Sequence, residues 1–264
     1  MPALEILAGF ATAPSTTITA LTMSTGLTAV VRNAPDDAEI KMLQAWADVQ
    51  GVGTLQARSP KFHDNVRGIS LATSIAEVDP MLAMGIGQKL YPQDAMSLGI
   101  SGSATAGDIE TGCFLLYYSQ LPGVEARLIA PNELRERSKS IMGQMNTLAV
   151  GTAGGFSGSE AINAEFDNWK ANVDYALVGY VVDIDCAAVR WIGSDSGNLG
   201  VGGPGNAKNK RLTSRWFIEL SEAFDLPLIP VFNAANKSAI LIDAAQDENG
   251  ADVTVTSLFH ELTM

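Results

Sequence analysis

The last readable strand of the chain, "ADVTVTSLFHEL" at residues 251–262, repeats the grammar of "GDIETGCFLLYY" at residues 107–118. Each opens on an Asp, Asp252 or Asp108, runs through β-branched and Thr residues, and closes on an apolar stretch containing aromatic residues or Leu. Such side chains suit a pleated, half-buried surface, so both segments read as β-strands. A chain that ends by restating its middle raises the question of whether the rest of it is doubled too.

Further matches fall in the same order in both halves. "GLTAVVRNAPDDAEIKMLQAWAD" (26–48) has a counterpart in "GSEAINAEFDNWKANVDYALVGYVVD" (158–183), which sets Asn33 against Asn163 and Trp46 against Tyr180. Then "SPKFHDNVRG" (59–68) meets "SDSGNLGVGG" (194–203), a short helical piece opens at Thr73 and again at Thr213, and "LYP" (90–92) meets "LIP" (228–230). The separation drifts from 130 residues, Asn33 to Asn163, up to 144, Asp108 to Asp252. Loops that gained or lost a few residues between two copies would produce that drift, so the sequence predicts an internal duplication.

Most other segments are also short, rich in Val, Ile, Thr and aromatic residues, and punctuated by Gly, Asn, Pro or Asp. Strands are expected at Ser15–Leu21, Ile40–Val49, Thr54–Arg58, Ala95–Gly99, Cys113–Tyr118, Ala176–Val182, Ala187–Trp191, Leu228–Phe232, Ser238–Ile242 and Val253–Phe259. Two helices are expected. One follows Pro131, which suits a first helical position, with Glu133 and Arg137 four apart and Leu134, Ile141, Met142 and Met145 at helical spacing. The other starts at Thr213 and Ser214, with Trp216, Phe217, Leu220 and Phe224 on one face. The fold class expected is all-β: two tandem jelly-roll sandwiches, residues 1–130 with an N-terminal arm and residues 147–264, joined by a connector helix at 131–146.

Composition narrows function. The chain has 264 residues, 47% of them hydrophobic and only 17% charged, which leaves neutral or apolar surface in need of a partner. A net charge of −12 argues against a coat of phosphate contacts, and no sequence-specific nucleic-acid binding is expected. Two cysteines, Cys113 and Cys186, are too few for a disulfide scaffold or a four-ligand metal site and read as small buried residues. The uncharged stretch Ile6–Val31 is rich in Thr, Ser and Gly and is read as a Thr-rich arm and strand, not as a leader or membrane span.

The chemical motifs are weak. "GVGGPG" (200–205) formally matches a dinucleotide-binding pattern, but Pro204 and "NAKNK" do not open the helix such a site needs, so a flexible loop is expected. "DENGAD" (247–252) could cluster Asp247, Asn249 and Asp252 around a cation, but Asn-Gly between strands signals a hairpin turn. Asp183 and Asp185 share a strand face, read as exposed before metal-binding, and Lys208, Lys210, Arg211 and Arg215 form one basic run, read as a solvated or acid-paired face before an anion or lipid-headgroup contact. The two histidines, His63 and His260, occupy non-equivalent places and lie near no nucleophile motif. No catalytic residue, cofactor or metal site is expected.

Tandem jelly rolls with a connector helix, a Thr-rich N-terminal arm and a neutral surface, from Ser15 to Met264, resemble the double jelly-roll major capsid proteins of tailless icosahedral viruses. The resemblance implies a non-enzymatic structural protein of a bacteriophage virion, made in the host cytoplasm. It implies a homotrimer forming a pseudo-hexameric capsomer that contacts neighbouring capsomers and other capsid proteins, such as a vertex protein. It also implies a contact between the N-terminal arm and an internal membrane, although the chain lacks the basic membrane-facing helix found there in the family. The alternatives are a minor capsid or spike component, or a carbohydrate-binding or glycan-hydrolysing β-sandwich with an aromatic-lined groove. The four tryptophans, Trp46, Trp169, Trp191 and Trp216, do not cluster in sequence and suit core or interface roles better than a sugar platform.

Overall fold

A computed structural model of the chain describes residues 1–62, 65–75, 78–151, 153–246 and 251–263. His63 and the Asp247 and Asn249 of the candidate cation cluster lie outside them. In the first half the strands are β1 (Ala3–Thr12), β2 (Thr19–Ala20), β3 (Thr22–Met23), β4 (Ile40–Asp48), β5 (Thr54–Arg58), β6 (Ile69–Ala72), β7 (Gln88–Leu90), β8 (Ser97–Ser101) and β9 (Ile109–Tyr118). In the second, β10 (Leu128–Ile129) and helix α1 (Pro131–Arg137) precede β11 (Ser138–Leu148), β12 (Phe156–Ala161), β13 (Asp174–Val182), β14 (Cys186–Ile192) and β15 (Val201–Gly205). Helices α2 (Lys210–Thr213) and α3 (Trp216–Phe224), then β16 (Ile229–Asn233), a 3₁₀ turn, β17 (Leu241–Ala245) and β18 (Val253–Leu262), complete it.

The strands form four antiparallel sheets, two per half, packed as β-sandwiches. The first half has a five-stranded sheet in the order β3-β1-β9-β4-β7 and a four-stranded sheet β2-β8-β5-β6. The second has β10-β16-β13-β18-β11 and β12-β17-β14-β15. Read from the first long strand of each half, with β2 and β3 counted as one, both larger sheets contain the run first–last–third–sixth of a set of eight, flanked by β3 in one and β10 in the other, and both smaller ones run second–seventh–fourth–fifth. The two central strands also share an irregularity. In β4 the pairing with β9 breaks between Met42 and Gln44, leaving Leu43 extra, and in β13 the pairing with β18 breaks between Leu177 and Gly179, leaving Val178 extra.

Those bulges correct the residue matches drawn from sequence. Superposing them sets Trp46 against Val181, not Tyr180, and Cys113 against Thr256, so the Asp108–Asp252 alignment is one residue out. In a strand one residue is a change of face. Trp46 points out of the first sandwich toward the second half, whereas Tyr180 points inward, its ring tilted against Trp191 and its hydroxyl donating to the Pro204 carbonyl at 2.9 Å.

Several expected elements change, among them the strand expected at Ser238–Ile242, where a 3₁₀ turn ends at Ala239 before β17 begins at Leu241. Residues 3–12, expected to belong to an arm, are a strand paired with β9 along their whole length. They escape a period-2 reading because both faces are buried: Ala3, Leu7 and Ala11 in the first sandwich, Leu4, Ile6 and Ala8 against the second half. The connector helix stops at Arg137, and Ser138–Leu148 is a strand whose inward residues include Gln144 and Asn146, both fully buried, so hydrophobicity does not mark its inner face. The piece opening at Thr73 is not a helix among the described residues. Its hydroxyl accepts the Gly53 N–H at 2.8 Å. The second-half helix is there, but its long segment starts at Trp216, after a short turn capped by the Asn209 side chain.

Candidate functional site

The candidate sites are surfaces and clefts that the fold leaves unfinished. The outer faces of the two five-stranded sheets are the most informative. In the first half that face carries Leu4, Ile6 and Ala8 on β1, Cys113, Leu115 and Tyr117 on β9, and Trp46 on β4, all buried in one core with residues of the second half. Trp46 Nε1 donates to the Ala187 carbonyl at 2.7 Å and its ring meets Trp216 edge-on at 6.0 Å. The Ile6 N–H donates to the Gly200 carbonyl at 2.8 Å. Thus β14, the approach to β15, and α3 cover this face, burying indole and aliphatic surface while pairing the Trp46 indole N–H and the Ile6 N–H.

Behind that contact, on the outer side of the second half's four-stranded sheet, sits a buried ion pair. Arg190 of β14 donates from Nε and Nη2 to Asp243 of β17 at 2.8 and 3.0 Å, and its guanidinium lies 3.8 Å from the centre of the Phe156 ring. Burial raises the Asp243 pKa, with Arg190 opposing it. Gly200 fits between Arg190 and Ile6, so the pair is sealed by the first half.

Among the described residues, the second half's matching outer face has no such cover along β11 and β18. Alternation with the buried Leu148, Val253, Val255 and Phe259 places Ile141, Gly143, Met145 and Thr147 on it, beside Thr254, Thr256, Leu258 and His260. Ile141 is 72% exposed and Met145 39%, on a strand at the edge of its sheet. Read by helical spacing, Ile141 and Met145 share the apolar side of a helix, which hides this surface in the sequence.

One end of that face meets a cleft lined by Leu134, Ser138, Arg215, Ile218, Glu222 and His260. Ser138 Oγ and His260 Nδ1 are 2.6 Å apart, a pair separated by 122 residues and joined only by the β11–β18 ladder. Burial lowers the His260 pKa, which favours the neutral ring. The neighbouring carboxylate does not orient it: Glu261 takes Lys170, Ser140 and Lys139 as partners, and these hold its pKa down to about 2. A serine beside a histidine without an orienting carboxylate lacks the third member that sets the base's tautomer and supports its charge.

The motifs read from sequence resolve into packing. "GVGGPG" is a buried strand, not a flexible loop: a Cβ at Gly203 would overlap Trp216 and the Tyr180 hydroxyl, and one at Gly205 would overlap Cys186. Its glycines are there for close approach. Asp183 accepts the Thr254 and Ile184 N–H groups, and Asp185 accepts the Ala207 N–H and pairs with Lys208. Among the described residues no three His, Cys, Asp or Glu side chains converge as a metal set. Of the basic run, Arg215 reaches the His260 cleft, while Lys210 and Arg211 lie exposed on α2. All four tryptophans are buried, as are both cysteines, which are free thiols. No described helix is long and apolar enough to cross a membrane.

No protein-family model matches the sequence, and no curated protein matches it. Among solved structures it is similar to the crystal structure of PBSX exported protein XepA, at 11% identity and a TM-score of 0.28, over 97% of this chain and 86% of that one. A likeness of that depth is too loose to define a shared fold.

Proposed function

We propose that this chain is a structural shell subunit: a duplicated double jelly roll whose trimer presents six sandwiches as one capsomer of a bacteriophage capsid. One observation carries the reading. The strand order of the first half recurs in the second, first–last–third–sixth and second–seventh–fourth–fifth, which is the order of a jelly roll, and the bulge on the third long strand recurs with it. The exposed apolar edge at β11 supports a role in association, since unprotected edges invite pairing and soluble monomers cover or charge them. A carbohydrate-binding reading has less support, because no indole is available for sugar stacking.

Light scattering on the purified full-length chain across a concentration series, followed by electron microscopy, tests the proposal. Discrete trimers or shells are expected. A strict monomer at high concentration overturns it.

A further inference from the structure

Between α1, the start of α3 and the ends of β11 and β18 lies the cleft that holds His260. It measures about 440 Å³, the size of a small-molecule site. Its charged members are Arg135, Glu222 and Arg215. Arg135 and Glu222 cancel, joined at 2.5 Å. The Arg215 guanidinium has no hydrogen bond or ion pair among the described residues, in a chain with 29 Asp and Glu side chains for 17 Lys and Arg. The cleft is therefore locally positive in a protein of net charge −12, a reversal of sign that draws anions to this one place.

Ser138 and His260 add a neutral donor. Ser138 Oγ and His260 Nδ1, 2.6 Å apart, share one hydrogen. When the hydroxyl donates it, the ring carries its own proton on Nε2; when Nδ1 donates it, the hydroxyl proton is left over. In either tautomer one donor hydrogen of the pair is unspent, because neither side chain has another partner among the described residues. A guanidinium fork with such a donor beside it matches an oxyanion, which takes the fork on two oxygens and the spare hydrogen on either. Pro131, Leu134 and Ile218 line the rest, so whatever carries the oxyanion is apolar. We infer that this cleft binds a small organic oxyanion, a phosphate ester or carboxylate on a short apolar body, through Arg215 and the Ser138–His260 pair. One copy of the chain holds all of these residues, so the site is complete without assembly and goes beyond a shell role.

Calorimetric titration of the purified full-length chain with phenyl phosphate and with inorganic phosphate tests this. Phenyl phosphate is expected to bind about ten-fold or more tightly than inorganic phosphate, since its ring removes apolar surface from water. Arg215 is exposed, so Arg215→Gln is expected to leave the thermal melt unchanged while weakening phenyl phosphate about ten-fold or more. Lys210→Gln, on α2 outside the cleft, is expected to leave that affinity within about two-fold, as a distant exposed charge should. The imidazole proton resonance that His260→Gln removes is expected to shift as phenyl phosphate saturates the wild-type chain. Vesicles of phosphatidylcholine with phosphatidylglycerol separate the two sources of such a group: vesicle binding that Arg215→Gln abolishes assigns the site to a lipid headgroup, and binding of the soluble ester alone assigns it to a free ligand. No binding of phenyl phosphate or vesicles overturns the inference. So do equal affinities for the two phosphates, equal losses in Arg215→Gln and Lys210→Gln, or a His260 resonance that stays in place at saturation.

Discussion

Two sheet faces with one strand order meet different fates in this molecule. On the first, Trp46, Cys113, Leu115 and Ile6 are sealed under the second half; on the second, the matching Val181, Thr256, Leu258 and Gly143 stay half-exposed or open. The composition follows the fate: where the cover is permanent the face is large and apolar, and where it is not, valine, threonine and glycine replace Trp46, Cys113 and Ile6. A surface that must be soluble before it associates cannot hold a continuous apolar patch.

The sharpest way to break the comparison is to put the same charge on each face. Ile6 is fully buried, and Ile6→Asp is expected to cost about 4 kcal/mol or more, enough to abolish a cooperative unfolding transition in the subunit. Ile141→Asp is expected to stay within about 0.5 kcal/mol of wild type by chemical denaturation under monomeric conditions. Equal losses would mean the β11–β18 face is covered within the chain and the contrast is false.

Next in size is the ion pair sealed behind the internal contact. Asp243→Ala leaves the Arg190 guanidinium buried without its partner and is expected to cost about 3–5 kcal/mol in equilibrium unfolding. On the four-stranded sheet of the first half, Gln56 occupies an outward position between Leu55 and Ala57, and Gln56→Ala removes one neutral hydrogen bond for about 1 kcal/mol. Asp243 and Gln56 are both buried, so matching losses would mean that the ion pair contributes no more than a neutral hydrogen bond.

This contrast also marks what was legible in the sequence. Strands whose two faces differ, such as Thr54–Arg58 and Val253–Phe259, announce themselves by alternation. Strands at the internal contact do not. β1 is buried on both faces and shows no alternation, and β11 turns Gln144 and Asn146 inward while Ile141 points to solvent, which inverts the usual pattern. The one-residue slip in matching Trp46 to Tyr180 came from the same source. Two aromatics look alike in sequence, and only hydrogen-bonded register tells an outward one from an inward one.

A smaller effect comes from the strand that α3 crowds. Gly203→Ala pushes a methyl into Trp216 and the Tyr180 hydroxyl and is expected to cost about 1–3 kcal/mol, read as a lowered denaturation midpoint. In the first half, where no α3 counterpart lies among the described residues, Leu71 of β6 packs against the core beside Leu55. Leu71→Gly should therefore also destabilise, by opening space where Gly203→Ala overfills it. A neutral Gly203→Ala would show that the helix can shift off the strand.

The smallest expected effect tests the two faces at one position. By the bulge register, His260 corresponds to Tyr117, which is buried under the second half with its pKa raised by that burial. His260 is half-exposed, with its pKa lowered by partial burial, so the folded chain binds its proton less readily than the unfolded chain does. Stability from this group is therefore complete above the ordinary histidine value of 6.5 and declines as pH falls from there toward the lower folded value. Arg215, Arg135 and Glu222 face it across the cleft, and Glu222 already pairs with Arg135, so a protonated ring gains little compensation. The Glu261 contribution is separate, lost only as pH falls from 4.5 toward about 2. Subunit stability measured between pH 7 and 5 should fall in wild type and flatten in His260→Gln. If a second copy covers the β11–β18 face, desolvation of the ring deepens and assembly should weaken over the same range more steeply than the isolated subunit does. A subunit slope that His260→Gln leaves intact would assign the pH dependence elsewhere, and an assembly slope no steeper than the subunit's would mean that no partner comes near this end of the sheet.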